Sequence, residues 1–185
     1  MARASDKREK LIDAAKTLIH RQGFHRTTLA DIAEESRVPL GNVYYYFKTK
    51  EELCEAVLEE RRKEIRHMLE GCCKQSGSRE NLKRMVRKMM SGSEEVAECG
   101  CPHGSLIQEL GKIPTPLTDS ADGVMQILID WASDQFRELG VDKPEEHGFE
   151  FIARIQGTML LGHAMHDPKR IKQQLKGIGN WIDSL

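Results

Sequence analysis

The chain is poor in the residues that build sheets. Only 5% of its 185 residues are aromatic, and no β-branched segment alternates long enough to mark a strand. Long apolar runs are missing too. Residues 155–166, the longest uncharged stretch of the apolar C-terminal part, number 12 and include histidines, short of the roughly 18 to 20 that a membrane helix needs. The N-terminal ten residues carry Arg3, Lys7, Arg8 and Lys10 and no apolar segment of signal-peptide type. The expectation is a cytoplasmic protein with no membrane partner. Five cysteines are an odd number and none has C-x-x-C spacing, which argues against a disulfide framework and against a standard zinc site. No cofactor is expected. Internal repeats and low-complexity tracts are absent as well.

What is present is helical periodicity and a lopsided charge. Residues 1–50 hold 10 Lys and Arg against 6 Asp and Glu, and residues 51–185 hold 18 against 23. A basic head on an acidic body suggests that only the head meets a polyanion. Apolar spacing predicts a first helix from Ser5 as N-cap to about Gln22, stopped by Gly23. A second starts at Thr28, with Asp31 three residues on, and fades near Ser36. Pro39 sits in the first turn of a third, which ends near Phe47. Thr49 and Glu52 form a capping box for a fourth that runs to about Leu69. Beyond a break at residues 75–78, Ser78 caps a helix through Met90, and residues 91–102 read as ill-defined. A short helix follows over 105–111, then a loop marked by Pro114 and Pro116 and a helix from about Ser120 to Leu139. Another, with Asp142 and Glu145 as its box, runs to about His166, and the last opens at Asp167-Pro168. The fold class is therefore all-α, with about nine helices, divided into a head over 1–50 and a body over 51–185.

Three short helices with a tight turn, Glu35-Ser-Arg-Val-Pro39, between the second and third describe a helix-turn-helix. The third helix of such a head lies in the major groove of double-stranded DNA and reads bases near its N-terminal end. That end holds Leu40, Gly41 and Asn42: an apolar group for a thymine methyl, a close backbone approach, and an amide for a base edge or phosphate. Tyr44, Tyr45 and Tyr46 follow. Successive helical residues lie about 100° apart, so at least one hydroxyl must face outward. Lys48 and Lys50 flank the start of the fourth helix, whose amides add an anion site. Thr27 and Thr28 offer a second phosphate clamp.

The segments Thr27-Thr-Leu-Ala-Asp-Ile-Ala33 and Val38-Pro-Leu-Gly-Asn-Val-Tyr-Tyr-Tyr-Phe-Lys-Thr-Lys-Glu-Glu-Leu53 resemble the head of the tetracycline-repressor (TetR) family over about residues 5–55. The resemblance implies phosphate contacts from Thr28, Tyr44, Tyr45 and Lys50 and base-facing positions at Leu40, Gly41 and Asn42. Tyr46 stands where many members have His, and Arg37 where Gly is common in the turn. It implies a transcriptional regulator rather than an enzyme, most simply a repressor released by an effector.

A single head reads too few base pairs, so a homodimer on a palindromic operator is expected. The last two helices are the expected interface through Phe151, Ile155, Met159, Ile171, Leu175, Ile178 and Ile182, as a four-helix bundle between subunits; the alternative is that these stripes fill the monomer core. A small-molecule effector pocket can draw on Met90, Met125, Trp131, Met159 and His163, all of which also suit plain core. In Cys99-Gly-Cys-Pro-His103, Cys101 near a helix N-terminus beside His103 suits a reactive thiolate. A buried structural cysteine is the plainer reading, and a soft metal shared by Cys99, Cys101 and His103 is a third. Two competing functions remain: a thiol enzyme using Cys101 with His103 as base, and a helical adaptor for protein partners.

Overall fold

Caps and stops written in the sequence set most helix boundaries. The computed structural model describes residues 4–73, 77–112 and 116–185. These form ten α-helices and no strand: α1 Ala4–Gln22, α2 Leu29–Ser36, α3 Leu40–Tyr46, α4 Lys50–Cys72, α5 Ser78–Ser91, α6 Ser93–Cys99, α7 Gly104–Leu110, α8 Pro116–Glu138, α9 Pro144–Ala164 and α10 Pro168–Ser184. The helix beyond the expected number is α6, which is only seven residues long and too short for its periodicity to be read.

Local chemistry explains the boundaries that match. Gly23 ends α1 with φ +87°, a left-handed conformation that glycine adopts without steric cost. Thr28 caps α2 in a reciprocal box: its hydroxyl oxygen accepts the Asp31 amide at 3.1 Å, and the Asp31 carboxylate accepts the Thr28 amide at 2.8 Å. Asp167 accepts the Arg170 amide at 2.9 Å to open α10.

Several boundaries differ. The expected cap Ser5 has a side chain outside the described residues, as do Gln75, Ser76 and Pro114. Pro39 is the N-cap of α3 rather than a first-turn residue. At α4, Thr49 accepts the Glu52 amide at 3.1 Å, but the Glu52 carboxylate accepts the Lys48 amide at 2.7 Å, one residue before the reciprocal position of a capping box. Ser78 is inside α5, with Gly77 as N-cap, and its hydroxyl donates to Glu138. Pro116 opens α8 four residues before the expected start, because proline is well placed in a first turn. The Asp142–Glu145 box does not cap α9. Lys143 is the N-cap, in a left-handed conformation with φ +52°, and Glu145 pairs with Arg137 at 2.6 Å instead.

The chain divides into two compact units: Met1–Arg62 with Ser105–Val124, and Lys63–Gly104 with Met125–Leu185. This spatial division falls elsewhere than residue 50. It groups the first half of α4, most of α7 and the start of α8 with the N-terminal helices. The core of the first unit contains Leu11, Ala15, Ile19, Phe24, Ile32, Val43, Phe47 and Leu53, all buried. Arg62 ties α4 to α8 there, donating to the Ser120 carbonyl at 2.6 Å and to Glu59 at 3.0 Å.

In the second unit α10 packs on α5, α6 and α9. Phe136 meets Phe151 edge to face, with ring centroids 6.1 Å apart. Close helix approach depends on two glycines of α9. A Cβ on Gly148 would lie 2.7 Å from the Ser133 amide nitrogen, and one on Gly162 would lie 2.0 Å from Ile171 Cγ1. Ile171 is itself buried, so it has nowhere to retreat.

Gly162→Ala should therefore destabilise the protein by about 1–3 kcal/mol through overpacking. Gly71→Ala, where nothing lies within 4 Å, should be neutral or stabilise by up to about 1 kcal/mol. Chemical denaturation of both variants checks the contrast, and equal midpoints would refute the tight α9–α10 contact.

Candidate nucleic-acid interface

Alternation around Val43 builds the outward face of α3. Val43 is fully buried, and Leu40, Tyr44 and Tyr45 are 39%, 48% and 74% exposed. Gly41 is exposed beside them, with nothing within 4 Å of where a Cβ would stand, and Asn42 is half-buried. Two tyrosines thus point outward. Tyr46 is half-buried and meets the Tyr45 ring edge-on at 5.0 Å. Lys48 is exposed, and its ammonium caps α3 by donating to the Tyr44 carbonyl at 2.7 Å. Leu40, Gly41, Asn42, Tyr44, Tyr45 and Lys48 therefore lie on one short helix and its C-terminal cap.

Two expected phosphate ligands are placed differently. Thr27 is fully buried, and its hydroxyl donates to the Gly23 carbonyl at 2.7 Å. It is a structural residue of the turn and not a phosphate contact. Lys50 is half-buried. Its ammonium donates to the Phe24 carbonyl at 3.0 Å and sits 4.3 Å from the centre of the Phe24 ring. It braces the turn after α1, and only its remaining hydrogens can reach a phosphate.

Thr28 remains exposed. Its amide and hydroxyl are both engaged with Asp31 in the cap. Asp31 brings a carboxylate to the same helix end, which reduces the attraction of that end for a phosphate. Hydrogen bonding to the carboxylate from the Thr28 amide, and after it from the Thr28 hydroxyl, holds the Asp31 carboxyl below its ordinary value of 3.8. Its folded pKa is lowered, so the stabilisation is present above 3.8 and is lost as pH falls through the folded value.

Sequence reasoning missed the partner on the far side of this turn. Glu109 of α7 accepts the Phe24 amide at 2.6 Å, and a Cβ on Gly23 would lie 2.3 Å from its Oε1. The residues are 85 apart in sequence, and no local pattern announces such a contact.

The body corrects the expected interface. Phe151, Ile155, Met159, Ile171, Leu175, Ile178 and Ile182 are 0–4% exposed in the single chain. They are its own core and have no surface left for a partner. The exposed large apolar residues of α9 and its C-cap are others: Phe149 at 63%, Leu160 at 53%, Leu161 at 61% and the cap Met165 at 51%. Gly157 opens onto the same exposed side, with nothing within 4 Å. A readable signal existed, since α9 is apolar on two faces where a simple surface helix has one apolar stripe.

The expected effector residues have different neighbours. Trp131 donates its indole N–H to Cys73 Sγ at 3.2 Å. His163 Nδ1 lies 3.2 Å from the Ala97 carbonyl of α6, which His166 also approaches at 3.3 Å. Met159 is core, and Met90 and Met125 are half-buried. Cys101 is buried, and its sulfur accepts the first amide of α7, from Gly104, at 3.4 Å. Pro102 lies in the turn before α7, and His103 is half-buried. Among the described residues no group of three or more His, Cys, Asp or Glu side chains is placed to hold a metal ion. Burial pushes the Cys54 thiol up to about 12, with Glu55 and Glu51 adding to the shift. Cys73 is the exposed thiol.

The outward face of α3, with two phenol rings, an amide, an apolar tip and a lysine, can dock in a duplex groove and bond its phosphates and base edges. Comparison with known proteins agrees. The sequence model for bacterial regulatory proteins of the tetR family matches residues 11–57. An uncharacterised HTH-type transcriptional regulator from the lacX 3′ region of Lactococcus lactis subsp. lactis is 30% identical over 162 residues, spanning 83% of this chain and 82% of that protein. The HTH-type transcriptional regulator LmrA of Bacillus subtilis (strain 168) is 28% identical over 166 residues, spanning 84% and 86%. The crystal structure of SCO4454, a TetR-family transcriptional regulator from Streptomyces coelicolor, superposes with a TM-score of 0.86 at 18% identity, covering 97% of this chain and 96% of that one.

Thr28→Ala should cost about 1 kcal/mol at neutral pH through loss of the cap. It should also flatten the fall in stability below pH 3.8, since the bonds that depress Asp31 are weakened. Unfolding curves of both proteins at neutral and acid pH measure this, and parallel curves would refute the coupling. In native protein Cys73 should react first with a thiol reagent, and Cys54 only on unfolding. A fast phase that survives in Cys73→Ser would refute that order.

Proposed function

The chain belongs to the TetR family of bacterial regulatory proteins and is a DNA-binding transcriptional regulator; on that premise we propose that it is a repressor, bound as a homodimer to a palindromic operator and released by an effector acting on its body. Residues 1–50 read the DNA, and residues 51–185 dimerise and sense. The observation that carries this reading is the outward set on α3, with Tyr44 and Tyr45 exposed beside Leu40 and Gly41. Leu40 and Asn42 select bases, and Tyr44, Tyr45, Lys48 and Thr28 hold phosphates. No catalytic role is assigned to Cys101 or His103.

The dimer face is the exposed side of α9. Phe149, Gly157, Leu160 and Leu161 recur at helical spacing there, with Met165 at its end. On α10 the exposed Gln173, Gly177, Asn180 and Ser184 follow the same spacing. Large apolar groups on one helix and small or polar ones on the next suit an intersubunit four-helix bundle. The twofold axis then sets two heads about 34 Å apart, or a multiple of it, to match half-sites one or more helical turns apart.

Release follows from differential binding. An effector that prefers a body conformation with the wrong head spacing lowers operator affinity by the same factor by which DNA lowers effector affinity. A small molecule or a thiol-reactive compound fits this scheme. For the second, Cys101 is the proposed target, because an adduct on its sulfur removes the acceptor of the Gly104 amide at the start of α7.

Selection of bound fragments from a random duplex pool should return an inverted repeat. Leu161→Glu should give a monomer by sedimentation and weaken binding to the selected duplex by about 100-fold, the loss expected when two linked heads become independent. Enrichment of single half-sites by a stable wild-type monomer would refute the dimeric reading.

A further inference from the structure

We propose that the groove between α1 and the turn joining α2 to α3 is a second seat for the DNA backbone, with Lys7, Lys10 and Arg37 holding phosphates beside the reading helix. The inference rests on the DNA-reading head and adds residues to it. The groove has a volume of about 610 Å³, and its walls carry Lys7, Lys10 and Asp13 of α1 and Glu35, Arg37 and Pro39 of the turn segment.

Three observations meet here. The first is backbone strain. Arg37 caps α2 with φ 56° and ψ 31°, a left-handed conformation disfavoured for any residue with a Cβ. Glycine relieves that cost, and the chain carries an arginine. A strained conformation filled by a long cationic side chain on a groove wall points to work done by that side chain.

The second is charge. Among the described residues the side chains of Lys7, Lys10 and Arg37 make no ion pair or hydrogen bond. Of the two carboxylates in the wall, Asp13 is paired with Lys16 at 3.5 Å. Glu35 alone is left to offset three cations.

The third is continuity. Pro39 lines the groove and is also the N-cap of α3, so the groove opens next to Leu40. The groove thus adjoins the end of α3 assigned to base reading.

A phosphodiester suits the site chemically. Arg37 presents a planar fork that can grip two phosphate oxygens, and the lysines act as point charges. Such contacts release counterions and carry no base preference. They add affinity for every sequence alike.

The test uses the full chain and a short random-sequence duplex, with affinity read by fluorescence anisotropy across a salt series. Arg37→Gly should raise the thermal midpoint, by relief of strain, and yet make the log affinity against log salt line shallower by about 0.9. Lys7→Gln/Lys10→Gln should make it shallower by up to about twice that. Lys88→Gln, an exposed lysine of α5, controls for net charge and should leave the slope near wild type. Groove variants whose slopes match Lys88→Gln would overturn the proposal even if Arg37→Gly gains stability. A wild-type protein with no salt-dependent binding to any duplex would instead overturn the DNA-reading head itself, and the groove with it.

Discussion

Phe24 is held by its backbone from both sides. Glu109 accepts a hydrogen bond from its amide and Lys50 donates one to its carbonyl, while the Lys50 ammonium also covers its ring. Bonds with one charged partner are roughly twice as strong as neutral ones. Gly23 must lack a side chain for Glu109 to come this close. Thr27 locks the same turn by bonding back to Gly23. The α2 and α3 residues proposed to meet DNA follow this turn in the chain: Thr28 opens α2, and α2 leads through Arg37 into α3. Freedom at Phe24 would become freedom of the reading helix. Three residues that bear phosphate-binding chemistry in the sequence, Thr27, Lys50 and in part Lys48, serve instead to hold the helices that present the others.

Features with a local cause were legible in the sequence. The stop at Gly23, the box between Thr28 and Asp31, and the cap at Asp167 depend on neighbours within four residues, so residue type and spacing suffice. The outward face of α3 was legible for the same reason. Three consecutive tyrosines cannot share one environment, and the buried Val43 decides which two turn out. Glu109 was not legible, because nothing in its own helix distinguishes it from a solvated carboxylate. Lys143 as the cap of α9 was hidden as well. Its left-handed backbone has no mark in the side chain, and the neighbouring acid and glutamate imitate a box.

The interface proposed on α9 shows a different limit. Periodicity identifies apolar stripes but does not say which one is inside. Phe151, Ile155 and Met159 follow helical spacing as faithfully as Phe149, Leu160 and Leu161 do. Only packing against α10 decides, through Ile171 pressed on Gly162. The effector residues show a third. Methionine, tryptophan and histidine indicate an adaptable surface by type, whereas location depends on tertiary neighbours such as Cys73 and Ala97.

A helix that is apolar on both sides has no slack. With a partner seated on Leu160 and Leu161, as proposed, α9 would be a layer packed between its own core and the other subunit. Close-packed layers pass displacement on instead of absorbing it. In the proposed dimer, a shift of α9 in one protomer would therefore be felt across that layer by the other.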